Sequence, residues 1–295
     1  MPVTCTVRVA LMFALVSALA VPAGAQSPST ALGASAPDRA RVLRAAADAL
    51  AMGRWSDIGS ATTRLPGIDI VNTMELTATG TSVMGGRLVK TDVHVALGYN
   101  PAAMRIELTR TPEGGAAQHT IQTVRETWAW DESQIGGGLI AGKGTATPAM
   151  AAVPVRLLQL WTLPYGIVKA AYAAGDKTTV STEAGATVIT VPLAGPLAGV
   201  TAKATLDAKN LITRVETRAN SPALANLAAQ IEYSDYADHA EVLTDIKTPG
   251  HIVHKRDGRT VLDITVKTWE TNNPYVVFPV PPNVKSASAS SPTSR

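Results

Sequence analysis

The chain has 295 residues, and its 26 Lys and Arg nearly balance 23 Asp and Glu, giving a formal net charge of +3. No long basic run could follow a phosphate backbone, so the composition argues against nucleic acid as a partner. The single cysteine, Cys5, lies near the start, so the rest of the chain has no disulfide or cysteine-ligated metal and must rely on a hydrophobic core.

Residues 1–25 have the features of a secretory signal peptide. Arg8 supplies the positive charge, residues 9–21 are apolar, and Ala23-Gly24-Ala25 offers small residues for cleavage. The apolar segment is shorter than a membrane-spanning helix requires. We therefore expect cleavage near Ala25, a periplasmic or secreted mature chain, and no membrane-spanning segment.

Residues 26–37 are rich in Ser, Ala, Gly and Pro, which predicts a flexible mature N-terminus. Asp38 then precedes ARVLRAAADALAM, whose apolar residues recur at helical spacing until Gly53. Because Asp is a favoured N-cap residue, this pattern predicts one amphipathic helix that begins at Asp38.

Most of the remaining chain predicts antiparallel strands. Short β-branched and aromatic runs alternate with turn formers such as Gly85-Gly86, Asn100-Pro101 and Asp257-Gly258. Between the two strand-rich parts, residues 135–154 are glycine- and alanine-rich and predict a mobile surface loop. Residues 155–175 predict a helix that is broken near Pro164 and packs on the sheet.

These elements predict a mainly β protein with helices, of the α+β class. We expect residues 38–284 to form a single domain, and residues 285–295, which are rich in Ser and Ala, to be a disordered tail.

One glycine-rich stretch has the spacing of a phosphate-binding loop. Residues 137–144 match that motif up to Lys143, but Gly144 stands where a Ser or Thr hydroxyl must ligand magnesium. Pro148 soon follows, where a helix N-terminus should receive the phosphates. A surface loop is the better interpretation.

A polar cluster near the C-terminal strands could hold a divalent metal; its members are Asp235, Asp238, His239, His251 and His254. His251 and His254 are three residues apart, so on a strand they face opposite sides. A polar strand end is therefore the better interpretation, and we expect no metal and no cofactor.

Two sets of residues in the sequence could be catalytic. Ser234 near the histidines could be a nucleophile, but the sequence has no Gly-x-Ser-x-Gly elbow. Glu126, Asp131 and Glu132 could form the carboxylate pair of a glycoside hydrolase, although charges at strand ends are commonly solvated. We therefore assign no catalytic residue.

Bulky apolar side chains are concentrated around the predicted helix and the strand before it: Trp128, Trp130, Leu157, Leu160, Trp161, Leu163 and Tyr165. Core packing explains most such residues. The alternative is that some line an apolar cavity between a curved sheet and its covering helices. On that hypothesis the candidate ligand-binding residues are Trp128, Trp130, Leu157, Leu160, Trp161 and Tyr165, with Trp161 and at least one of Trp128 and Trp130 at the cavity wall.

The order of the elements resembles the bacterial LolA/LolB-like fold of outer-membrane lipoprotein-sorting proteins. That resemblance implies an antiparallel sheet curled into an incomplete barrel, covered by the N-terminal helix and the broken mid-chain helix. A closer local similarity is to the exported domain that precedes metallo-β-lactamase-fold hydrolases. It is carried by the segments WTLPYGIVKAA, ATLDAKNLITRVETRANSPAL, IEYSDYADH, HIVHKRDGRTVLDITV and PPNV.

The resemblance implies a periplasmic binding or carrier protein for an apolar ligand, which could be a lipid, an acyl chain or a lipoprotein anchor. Its partner would then be an apolar small molecule or a lipidated protein. The alternative is a non-catalytic scaffold or accessory module that docks a protein partner. A hydrolase that uses the Asp235 to His254 cluster is a third possibility, but the chain has no zinc-hydrolase motif, nucleophile elbow or complete phosphate-binding loop.

Overall fold

The computed structural model describes residues 38–53, 55–58, 61–64, 68, 70–220, 227–238 and 246–289. The predicted signal peptide and the segment 26–37 lie outside this part of the chain.

The described chain contains four α-helices and fifteen strands. The helices are α1 (Arg39–Ala49), α2 (Val153–Thr162), α3 (Pro164–Ala174) and α4 (Pro282–Ala289). The strands are β1 (Trp55–Ile58), β2 (Ala61–Arg64), β3 (Thr73–Met84), β4 (Arg87–Tyr99), β5 (Ala102–Thr111), β6 (Gln118–Arg125), β7 (Trp128–Glu132), β8 (Ala146–Pro148), β9 (Thr179–Glu183), β10 (Ala186–Pro192), β11 (Val200–Leu206), β12 (Ile212–Ala219), β13 (Ala229–Asp238), β14 (Lys247–Arg256) and β15 (Arg259–Thr271).

Strands β3 to β15 form one antiparallel sheet, in the spatial order β8-β7-β6-β5-β4-β3-β15-β14-β13-β12-β11-β10-β9. Two meanders, β3 to β8 and β9 to β15, are joined where β15 pairs with β3. Among the described strands, the edge strands β8 and β9 share no ladder, so the barrel is incomplete. The predicted α+β class and incomplete barrel are therefore confirmed.

The sheet curls around α2 and α3. Helix α2 packs against β5, β6 and β7, whereas α3 packs against β10, which lies eight places from β5 in the sheet. On a flat sheet eight strand spacings would separate β5 and β10 by about 38 Å. Two consecutive helices of about 15 Å each reach both sets of strands because the sheet wraps around them.

Two tyrosine hydroxyl groups link the helices to the concave face of the sheet by hydrogen bonds. Tyr233 on β13 donates its hydroxyl to the Thr162 carbonyl at the end of α2, with 2.8 Å between the oxygens. Tyr165 at the start of α3 donates to the Lys247 carbonyl on β14. Both hydroxyls are thus satisfied in the core, as buried polar groups must be.

The close approach of β3 and β15, where the two meanders join, depends on Gly80. A Cβ atom added there would lie 1.9 Å from the Asp263 carbonyl oxygen on β15. Only a residue without a side chain allows β3 and β15 to approach this closely.

Both predicted helix boundaries that rest on a specific residue are confirmed. The Asp38 carboxylate accepts hydrogen bonds from the backbone N–H groups of Ala40 and Arg41, at 3.0 and 3.5 Å. Leu163 has an extended backbone (φ −59°, ψ 150°) directly before Pro164, so the mid-chain helix is broken there.

Two segments are more ordered than the sequence predicts. Part of the predicted loop 135–154 forms the edge strand β8 and the start of α2. Helix α4 covers the first five residues of the predicted tail, and Val284 on this helix packs against Trp130 together with Val280. Burial of these two valines stabilises a terminus whose composition favours disorder.

Candidate functional site

A cavity of about 410 Å³ lies between the concave face of the sheet and helix α2. Small-molecule sites usually occupy about 300–1,000 Å³, so this volume suits a small ligand. Most of its lining is aliphatic and comes from strands on both sides of the join between β3 and β15. The lining residues are Leu76, Ser82, Val83, Val93, Val95, Met104, Ile106, Leu108, Arg110, Gln122, Gln159, Thr162, Leu163, Ile231, Tyr233, Ile252, His254, Arg256, Val261, Leu262 and Ile264.

Strand alternation turns these side chains inward. Because successive residues face opposite sides of a sheet, directly paired residues on neighbouring strands share a face. Val95 pairs with Ile106, and Ile252 pairs with Ile264. Ile106 and Leu262 are only partly buried although they pack on the core, because their outer atoms face the cavity.

Two polar atoms lining the cavity are buried and have no hydrogen-bond partner among the described residues, namely Oε1 of Gln159 and Nε2 of His254. The same two residues are among those that line a second, much smaller space of about 10 Å³. An unsatisfied buried polar atom costs about 1–3 kcal/mol. A ligand or an ordered water at this position would recover that free energy.

Burial holds His254 neutral. Desolvation, followed by the positive charge of Arg256, lowers the pKa of the His254 imidazole from 6.5 to about 4. At neutral pH the cavity therefore presents an uncharged imidazole beside the Gln159 amide.

This pKa predicts a pH dependence of stability. The folded-state pKa lies below the unfolded value, so as the pH falls the unfolded chain binds the proton first. The free energy of unfolding should thus decrease between about pH 6.5 and pH 4, by up to about 3 kcal/mol from this group. Comparing urea unfolding of the native chain with that of His254→Leu at several pH values isolates this contribution. A parallel pH dependence in the two proteins would contradict it.

None of the six residues predicted to bind a ligand is part of the lining of this cavity. Trp130 is buried in a separate cluster with Ala146, Val280 and Val284, and partly buried Trp128 packs on that cluster. Leu157, Leu160 and Tyr165 belong to the main core. Trp161 is partly buried and contacts Tyr99, with ring centroids 5.8 Å apart.

The structure separates the polar cluster of the C-terminal strands. His254 lines the cavity, whereas His251 lies on the convex face and its Nε2 contacts Asp263 Oδ1 at 2.7 Å. Asp235 and Asp238 are exposed on β13, and His239 lies outside the described residues. Across the described chain, no group of three His, Cys, Asp or Glu side chains has the geometry of a metal site.

On the convex face, Ser234, His251 and Asp263 form a short polar chain. The Ser234 Oγ to His251 Nδ1 distance is 3.4 Å, and Ser234 Oγ also lies 3.3 Å from Asp235 Oδ2. An activated nucleophile usually lies about 2.6–3.2 Å from its base. The geometry is that of an exposed polar network.

The carboxylates near the tryptophans have structural contacts. Glu132 is buried and accepts hydrogen bonds from Trp130 Nε1 and Thr123 Oγ1, both at 2.8 Å, and from the Gly136 N–H at 2.6 Å. Asp131 pairs with buried Arg156 at 2.5 Å. These contacts fasten β6, β7 and α2 to one another.

Of the residues that line the cavity, the sequence patterns single out only Leu163, as one of the bulky apolar residues, and His254, as part of a polar strand end. The available pattern was the alternation of aliphatic residues along β4, β5, β14 and β15, which marks one face of each strand. That pattern does not distinguish a filled core from a lined cavity.

No helix in the described part of the chain is long and apolar enough to cross a membrane. No protein-family model matches the chain, and no curated protein matches it.

Several solved structures are similar in fold. A putative outer membrane lipoprotein-sorting protein domain from Vibrio parahaemolyticus is 8% identical, with 80% of this chain and 94% of that chain covered and a TM-score of 0.44. A DUF1329 family protein from Desulfovibrio piger is 10% identical over 70% of this chain and 88% of that chain, with a TM-score of 0.43. A LolA superfamily protein from Nitrosomonas europaea is 7% identical over 80% and 94%, with a TM-score of 0.40.

Proposed function

We propose that this protein is an exported carrier that binds one acyl chain in the half-barrel cavity. The observation that supports this proposal is the cavity of about 410 Å³ between the sheet and α2, with its largely aliphatic lining. The space is bounded by side chains from the middle of the sheet, which is where a curved sheet leaves volume that its own residues do not fill.

The physical driving force is burial of methylene groups. Each buried methylene contributes about 0.8 kcal/mol, so about ten would supply about 8 kcal/mol, which corresponds to micromolar affinity. Ordering the chain reduces this gain. An acyl chain therefore binds measurably without a covalent bond or a metal.

The cavity also favours the carrier over the scaffold module. A module that only docks a protein partner gains nothing from an internal space lined by Ile106, Ile252 and Leu262, because each unfilled volume costs packing energy. A ligand that fills the space would recover those contacts, which supports the carrier proposal.

A fluorescent long-chain fatty-acid probe tests the proposal. We expect saturable binding of one probe per chain, and displacement by an unlabelled alkyl alcohol of similar length. Native mass spectrometry of the same sample should show the protein carrying a single probe molecule. Absence of saturable binding would overturn the carrier proposal and favour the scaffold module.

A further inference from the structure

Arg110, one of the residues that line the cavity, is held in place by a hydrogen bond from its side chain to another strand of the sheet. Arg110, near the end of β5, is partly buried, and its Nε donates a hydrogen bond to Ser82 Oγ on β3 at 3.1 Å. The side chain thus reaches across β4, which lies between these two strands.

The hydrogen-bond directions of this contact can be assigned. Thr91 Oγ1 donates to the Val89 carbonyl at 3.1 Å, so it accepts from Ser82 Oγ, which lies 2.7 Å away. Ser82 Oγ in turn accepts from Arg110 Nε. Among the described residues, the Arg110 guanidinium is therefore hydrogen-bonded through Nε alone, so its two terminal NH₂ groups can donate to a ligand.

The two hydroxyl groups are buried, with Ser82 3% and Thr91 0% exposed, on a face that is largely aliphatic. Buried hydroxyls cost free energy unless they are hydrogen-bonded, so a buried polar chain at this position needs an explanation. The two hydroxyl groups are explained if their role is to orient the Arg110 guanidinium.

The charge of the Arg110 guanidinium is not paired within the described residues. Within the described part of the chain, no carboxylate forms an ion pair with Arg110 or Arg256, and no Asp or Glu lines the cavity. Arg256, at the end of β14, is exposed and contributes a second positive charge to the same lining. The cavity is therefore largely aliphatic but contains a positive charge that no carboxylate in its lining neutralises.

We propose that Arg110, oriented by Ser82 and Thr91, binds the anionic head group of the ligand, so that the ligand is a single-chain amphiphile with a carboxylate or phosphate. This inference rests on the proposed carrier function and specifies its ligand class. A planar guanidinium with two free NH₂ groups binds a carboxylate or phosphate through two parallel hydrogen bonds. Arg256 adds long-range attraction at the same site.

Ligands with the same alkyl chain but different head groups allow the contribution of the head group to the affinity to be measured apart from that of chain burial. The probe-displacement affinities of a fatty acid, a fatty alcohol and an alkyl phosphate of equal chain length are measured at a pH where the acid is ionised. On the native chain the acid should bind at least about tenfold more tightly than the alcohol. Comparing the affinities of the fatty acid and the alkyl phosphate shows which anion the site prefers.

Variants then assign this preference to Arg110. Arg110→Gln should remove the advantage of the acid while leaving alcohol binding unchanged, which also shows that the variant is folded. Ser82→Ala keeps the charge and removes its anchor, so it should reduce the advantage only in part. The control is Arg87→Gln, because Arg87 is an exposed arginine on β4 that does not line the cavity; it should leave the preference intact.

Each outcome bears on one of the two proposals. If the acid and the alcohol bind the native chain equally, or if Arg110→Gln keeps the preference, the head-group site is rejected and the carrier function stands. If neither ligand binds, the carrier function itself fails.

Discussion

Replacing Ile106 with Trp should weaken binding of an acyl-chain probe by at least about 100-fold. Ile106 lines the cavity from β5, directly opposite Val95 on β4, so an indole at this position occupies space that the ligand needs. Excluding four methylenes alone removes about 3 kcal/mol of binding free energy, which corresponds to about 100-fold.

The fold should survive this substitution. The added volume enters a cavity of about 410 Å³ and not a filled core, so the free energy of unfolding should change by less than about 1.5 kcal/mol. Titration with the fluorescent probe and urea unfolding of the same preparation measure both quantities.

A matched control is Thr79→Trp. Thr79 lies on the convex face of β3, which borders β4 and β15, and it does not line the cavity. This variant should bind the probe as the native chain does. Unchanged affinity in Ile106→Trp, or equal losses in the two variants, would show that the probe binds elsewhere.

The second large effect is expected for Trp130→Ala, which should lower the free energy of unfolding by about 4 kcal/mol. Trp130 is 1% exposed and packs against Ala146 and the C-terminal valines Val280 and Val284. Its indole Nε1 also donates to the buried Glu132 carboxylate at 2.8 Å, so the substitution leaves this carboxylate with one donor fewer.

Urea midpoints at constant m value measure the loss, with Trp128→Ala as the comparison. Trp128 is only partly buried beside the same cluster, so its truncation should cost clearly less. The folded Trp130→Ala protein should keep its probe affinity, because Trp130 does not line the cavity. A severalfold loss of affinity without a loss of stability would instead support the sequence-based assignment of Trp130 to a ligand wall.

Local features of the fold were predictable because single residues determine them. The Asp38 cap and the break before Pro164 follow from the chemistry of those residues, and the hairpins follow from turn formers such as Asp257-Gly258. The helix α4 was not predicted, because it is stabilised by long-range burial of Val284 against Trp130, which no local pattern encodes.

The candidate site was less predictable because it is assembled from distant segments. Ile106 and Ile252 face one space only after β5 and β14 are placed in the same curled sheet, and that placement depends on the long-range pairing of β15 with β3. The sequence favours large aromatic residues as candidates for the cavity wall, since these residues bury the largest apolar area in both cores and binding sites. The structure instead places medium-sized aliphatic side chains around the cavity.

A carrier of this kind must hold the bound acyl chain inside the cavity. Methyl-labelled protein in complex with a saturated fatty acid should show nuclear Overhauser effects between the acyl methylenes and the methyl groups of Ile106, Ile252, Leu262 and Ile264, all of which line the cavity. Saturable binding whose contacts fall only on methyl groups outside the cavity would contradict the account.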